Sequence, residues 1–87
     1  MRQKNRRSEL VIVYDLLSIV EKEELRKTHL MYKTNLSYSH FIKYLDYLLE
    51  KDLIAERKTG NPIGKVYYIT NKGKKYIKEF KNVLELI

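Results

Sequence analysis

Apolar residues fall at Leu10, Val11, Val13, Tyr14, Leu17, Ile19 and Val20, a spacing of helical period rather than two-residue alternation. It predicts a first helix over roughly residues 8 to 22, with Ser8 as N-cap because its hydroxyl can accept from the free N–H groups of the first turn. The next stretch, EELRKTHLMYKTN, offers a narrower apolar side of Leu25, Leu30 and Met31. It predicts a helix of about two turns, capped by Thr28 and ended near Asn35, a residue type that tolerates left-handed backbone. Leu36 then reads as the buried residue of a tight turn, and Ser37 as the cap of a third helix reaching about Lys51. On a wheel of that helix Phe41, Ile42, Leu45, Leu48 and Leu49 cover one broad side, with Tyr38 and Tyr44 at its margins. Ser39, His40, Lys43, Asp46, Tyr47 and Glu50 share the opposite, solvent-facing side.

The periodicity then changes. LIAERK and KVYYIT read as two short strands joined by a loop of about six residues, TGNPIG, whose glycines, proline and asparagine are turn formers. Together they predict a β-hairpin over residues 53 to 70. In its second strand Val66 and Tyr68 face one way and Tyr67 and Ile69 the other. Thr70 caps a last helix, NKGKKYIKEFKNVLELI, in which Tyr76, Ile77, Phe80, Val83, Leu84 and Ile87 form one stripe and five lysines lie mainly off it.

The chain has 87 residues, the size of one domain with little room for a second core. Residues 1–87 are therefore expected to form one domain, mainly α within the α+β class. Without cysteine there is neither a disulfide framework nor a thiolate metal site. His29 and His40 have no metal-ligand spacing, so neither a metal nor a cofactor is expected. The basic start MRQKNRRSEL lacks the apolar run of a secretory signal, and no stretch has the length of a membrane span, which points to a cytoplasmic protein. Eighteen Lys and Arg against eleven Asp and Glu leave a formal charge of +7, the balance of a nucleic-acid binder but also of many small proteins with a merely basic surface.

Three helices, a basic-tipped hairpin and a carboxy-terminal helix, with a short turn between the second and third helices, make a helix-turn-helix followed by a wing. NLSYSHFIKYLDYLLEKDLI followed by KVYYITNKGKKYI resembles the winged helix-turn-helix transcriptional regulators of archaea and archaeal viruses. The resemblance runs from about Ser8 to Ile77 and is nearest to regulators similar to the winged-helix domain of archaellum regulators. Its most specific parts are THLMYKTNLSY, LLEKDLI and YYITNKGKKYI. It implies a cytoplasmic DNA-binding protein, commonly a homodimer, with the third helix as reader. Asp52 departs from the pattern, standing where winged helices usually have glycine.

Ser39, His40 and Lys43 form the strip expected to enter a major groove, since all three can donate to base edges or phosphates. Asp46 and Glu50 would be repelled by phosphate, so the carboxy-terminal half of the helix should leave the groove. Tyr38 is divided between closing the turn and contacting a phosphate. Tyr44 is expected to be structural, and Tyr47 exposed to DNA or a second subunit. Lys27 and Thr28 open the second helix, where free N–H groups favour an anion; for Thr28 a phosphate contact and a plain cap are compatible. Arg57, Lys58 and Lys65, with Asn61, flank the wing tip, where a basic hairpin either reaches the backbone or minor groove or simply protects edge strands. Arg6 and Arg7 add affinity without selectivity.

The stripe of Tyr76, Ile77, Phe80, Val83, Leu84 and Ile87 has the spacing of a helix that packs on another helix. Residues 71–87 are thus expected to pair two chains, though folding back could bury Tyr76 and Ile77 in the same chain. The leading expectation is a dimeric, sequence-specific DNA-binding regulator without catalytic activity, since no nucleophile, base and orienter share one face. Two alternatives remain: an architectural DNA-binding protein without sequence choice, or a winged helix used as a protein-interaction module.

Overall fold

A computed structural model of the chain describes residues 9–60 and 63–86, apart from the Leu84 side chain. Its elements run α1 (Glu9–Lys22), β1 (Leu25–Arg26), α2 (Lys27–Thr34), α3 (Tyr38–Glu50), β2 (Ile54–Gly60), β3 (Ile63–Ile69) and α4 (Asn71–Glu85). α1 is the central element, packing against α2, α3, β3 and α4. It can do so because Ile12, Leu16 and Val20 form one i, i+4 row and Val13 and Leu17 a second, and all five are buried. Around them lie Leu25, Leu30, Phe41, Tyr44, Leu45, Leu48, Leu53, Ile54, Tyr67 and Ile77.

The helix ends expected from sequence are built by caps. Asn35 is left-handed, at φ 60° and ψ 30°, and closes α2. Ser37 is extended, and its hydroxyl accepts from the His40 N–H at 3.4 Å to open α3. At the other end of α3 the Asp52 N–H donates to the Leu49 carbonyl at 3.1 Å and the Leu53 N–H to the Leu48 carbonyl at 2.9 Å. This paired closure requires a left-handed residue between helix and strand. Asp52 supplies it at φ 61°, so the departure from glycine is absorbed at a modest conformational cost.

Three expectations are corrected. The wing is part of a three-stranded antiparallel sheet of order β1-β3-β2, not a lone hairpin. Leu25 pairs with Tyr67 and Arg26 with Val66; two residues carry no legible alternation, so this strand arises only from pairing. Next, the hairpin register runs from Ile54 opposite Ile69 to Gly60 opposite Ile63. The strands therefore take up Thr59, Gly60, Ile63 and Gly64 of the expected six-residue loop, and residues 61 and 62 lie outside the described residues. Finally, Thr28 lies inside the first turn of α2, whose N-cap is Arg26 without a side-chain cap bond. Strand pairing of Leu25 and Arg26 ends directly at the helix, which leaves Thr28 two positions past the cap. Ser8, the expected cap of α1, lies outside the described residues.

Thr70 joins three elements. Its hydroxyl accepts from the Gly73 N–H at 3.0 Å, capping α4, and lies 2.7 Å from the Asp52 carbonyl and 3.0 Å from that of Leu53. Gly73 permits the approach: a Cβ there would collide with the Leu53 carbonyl and come within 2.7 Å of Ile69 Cγ1. The start of α4 is thereby fixed against the α3–β2 turn.

Candidate nucleic-acid interface

α3 is held from one side only. Phe41, Tyr44, Leu45 and Leu48 are buried, with Ile42 and Leu49 partly so, while Ser39, His40, Lys43, Asp46, Tyr47 and Glu50 are exposed. The division read from the helical wheel is thus the division in the fold. Along the exposed side donors come first and carboxylates last. Ser37 Oγ lies 3.1 Å from His40 Nδ1, so the cap that starts α3 also orients the imidazole. Lys43 Nζ lies 3.5 Å from a Glu9 carboxylate oxygen at the start of α1 and 5.4 Å from the Tyr44 ring centroid. Tyr44 is structural, as its position on the wheel implied, and Tyr47 is 41% exposed.

Tyr38 is resolved toward the surface: it is 60% exposed, and Lys27 Nζ stands 6.0 Å from its ring centroid. This cation–ring contact brings the first turns of α2 and α3 together, so Lys27, Thr28, Tyr38, Ser39 and His40 lie at the amino-terminal ends of the two helices. Thr28 and His29 are exposed there as well. Tyr32, on α2, is 86% exposed, a residue the sequence did not single out because a tyrosine in an amphipathic helix reads first as core.

The wing cations are exposed but not unattended. Lys58 and Lys65 are directly opposite each other in the register, so both project from the same sheet face. Two like charges placed across from each other repel. Lys65 answers this by pairing with Glu56 at 2.8 Å, and that hydrogen bond, with the Glu56 charge, raises the Lys65 pKa. Next to it the Tyr67 hydroxyl is pushed up chiefly by burial, with Glu56 adding to the shift. Arg57 bonds Glu24, in the connection between α1 and β1. Arg26, part-buried on β1, donates to Thr59 Oγ1 at 3.1 Å, passing over Gly64, where a Cβ would strike its guanidinium. Arg26, Glu24 and Glu56 were not among the residues expected from sequence, because their roles depend on the third strand. Arg6, Arg7 and Asn61 lie outside the described residues.

The stripe of α4 is divided by the fold. Ile77 is buried in the chain's own core, and the Phe80 ring meets Tyr14 of α1 edge-on, with centroids 5.1 Å apart and planes at 69°. Ile77 is therefore removed from the surface expected to pair two chains: it points at α1 and is spent on the protomer's core. Tyr76 is half-buried, raised in pKa chiefly by that burial, and Val83 is 50% exposed. These side chains and Leu53 line a groove of about 440 Å³ edged by Lys72, Lys75 and Glu79. The Leu84 side chain and Ile87 lie outside the described residues. Among the described residues no helix is long and apolar enough to cross a membrane.

The comparisons with known proteins agree with this geometry. A family model described as winged helix-turn-helix matches residues 6–87. The uncharacterized protein MJ0290 of Methanocaldococcus jannaschii is 35% identical over 82 residues, a match spanning 94% of this chain but 36% of that protein. A second uncharacterized protein of the same archaeon, MJ0287, is 28% identical over 82 residues, spanning 94% of this chain and 78% of that one. Among solved structures, a PadR-like transcriptional regulator from Bacillus cereus superposes with a TM-score of 0.79 at 26% identity, over 87% of this chain and 82% of that one. Sso10a-2, a DNA-binding protein from Sulfolobus solfataricus, superposes at 0.76 with 24% identity, over 92% and 81% of the two chains, a likeness of fold. With two helices joined by a short turn, a hairpin wing and a family match over nearly its whole length, the chain belongs to the winged helix-turn-helix family.

Proposed function

We propose that the protein is a DNA-binding transcriptional regulator that reads the major groove with the amino-terminal half of α3 and touches flanking backbone or minor groove with its wing. The observation that carries this reading is the one-sided burial of α3, which leaves Ser39, His40 and Lys43 exposed at its start while Asp46 and Glu50 occupy its far end. A groove about 12 Å wide admits one helix, and donors at its leading end with carboxylates at its trailing end favour entry amino-terminus first. Lys27, Thr28 and Tyr38 stand beside that end, suited to phosphate. Lys58 with Arg57 and Lys65, and Asn61 at the tip, give the wing its contacts, and Arg6 and Arg7 add charge at the amino terminus. Tyr47 is available to DNA or to a second subunit.

The working unit in this reading is a cytoplasmic homodimer of single-domain chains, residues 1–87, paired through the outer face of α4, where Tyr76, Phe80 and Val83 leave an apolar groove. Two reading helices then address half-sites about one helical turn, ~34 Å, apart. This reading needs no cofactor or catalytic group, and the likeness to the PadR-like transcriptional regulator of Bacillus cereus supports it. Selection of bound duplexes from a random pool tests the proposal: a recurrent, roughly palindromic motif is expected. Lys43→Glu should weaken binding to that motif at least ~10-fold, as loss of a base or phosphate contact does. Equal affinity for selected and scrambled duplexes, with the same salt dependence, would instead indicate an architectural binder without sequence choice.

A further inference from the structure

Among the described residues, three of the five lysines and arginines assigned above to DNA are already engaged by carboxylates of the same chain. Arg57 is bonded by Glu24 and Lys65 by Glu56, as Lys43 is faced by Glu9. Among the described residues Lys58 is the wing cation with no such partner. The Glu24 contact is not a neighbour effect of sequence, because 33 positions separate it from Arg57. It exists because Arg26 and Arg57 both register against Val66, so the residues beside β1 lie across β3 from β2. On the other face, Glu56 and Lys65 are brought together by the diagonal of the same ladder.

We infer that Glu24 and Glu56 are built-in competitors of nucleic-acid phosphate, holding down sequence-independent binding by occupying the wing cations that a backbone would otherwise engage. This rests on the DNA-binding reading above. The side chains of both pairs are 40–55% exposed, so a phosphate can reach each cation and the carboxylate can swing away. Exposed ion pairs are weak, which makes displacement feasible; each displacement nevertheless gives up part of what the phosphate contact gains. A chain of charge +7 would otherwise adhere to any duplex through counterion release alone. The carboxylates reduce that adhesion without removing the cations, which stay available where base contacts of α3 add to the binding. The raised Lys65 pKa caused by Glu56 is in keeping with a close pairing in the free protein.

The test is binding of a scrambled duplex, by fluorescence anisotropy, to the parent chain, Glu24→Gln, Glu56→Gln and the double variant. Glu21→Gln serves as control, because Glu21 is exposed on α1 and its loss changes net charge by the same amount without freeing a wing cation. At ~0.1 M salt each wing variant should bind roughly two- to fivefold tighter and the double variant about tenfold tighter, with the control within about twofold. The gain should shrink toward ~0.5 M salt as screening grows. If the parent binds DNA but the double variant gains no more than Glu21→Gln, the carboxylates do not compete and the inference is overturned while the DNA-binding reading stands. If the parent binds neither scrambled nor pool-selected duplex even at low salt, that reading fails and takes the inference with it.

Discussion

Replacing Thr70 by Val removes one hydroxyl and keeps the shape and branching of the side chain. The hydroxyl is the cap of α4, accepting from the Gly73 N–H at 3.0 Å, and its single proton is shared between the Asp52 carbonyl at 2.7 Å and that of Leu53 at 3.0 Å. Loss of a threonine cap costs about 1 kcal/mol. The bond to Asp52 adds at most about 1 kcal/mol, because that carbonyl is at the surface and water can replace the donor. Leu53 loses less, since its carbonyl also accepts from the Thr70 N–H at 3.2 Å. Thr70→Val should therefore destabilise the fold by about 1.5–2 kcal/mol, which for a domain of this size lowers Tm by roughly 6–15 °C. Thermal unfolding followed by circular dichroism measures this, with Thr70→Ser as the control expected to stay within about 0.5 kcal/mol of the parent. A Thr70→Val protein melting within about 2 °C of the parent would show that the junction of turn, strand and helix does not depend on the hydroxyl, and the assignment of its role would be withdrawn.

Gly73→Ala gains roughly 1 kcal/mol of helix propensity, yet its Cβ must collide with the Leu53 backbone. Overpacking of about 1–3 kcal/mol should win, so the variant melts below the parent; a higher Tm would mean that α4 can shift freely. Tyr67 and Tyr76 both have pKa values raised chiefly by burial. A raised folded-state value means their stabilising effect is fully present below the ordinary tyrosine value and is lost as pH rises from there through the raised one. Stability from denaturant titrations should accordingly fall above about pH 10, and Tyr67→Phe should flatten part of that slope; an unchanged slope would refute the assignment. Val83→Asp places a charge on the half-exposed side of α4 and should convert a dimer to monomer in sedimentation at micromolar concentration with little change in the fold. Dimer persisting in this variant would move the interface elsewhere.

The elements whose side-chain pattern is set by their own period were legible. α3 is the clearest case, because a broad apolar side and a capping serine specify both its limits and its buried face. α4 was legible as a helix but not in its allegiance: Ile77 and Phe80 suit a partner helix and α1 equally well, and the fold buries Ile77 in the chain's own core while Phe80 meets Tyr14 edge-on and still lines the outer groove. Tyr38 was open for the same reason, and the Lys27 ammonium over its ring fixes it at the surface. In the candidate site, residue types and exposure on α3 followed from sequence, whereas the partners of Lys43, Arg57 and Lys65 did not.

Local periodicity, capping chemistry and turn formers are properties of a few neighbouring residues, so the sequence by itself determined the order of helices and hairpin, the buried side of α3 and the left-handed closure after α2. The third strand, the core role of Ile77 and the pairing of Glu24 with Arg57 join residues far apart in the chain. Their geometry depends on which of several compatible surfaces meet. A two-residue strand has no period to read, and a surface carboxylate has no partner until a sheet brings one across. Tertiary structure alone decided these, and with them how much of the basic charge is free to meet another molecule.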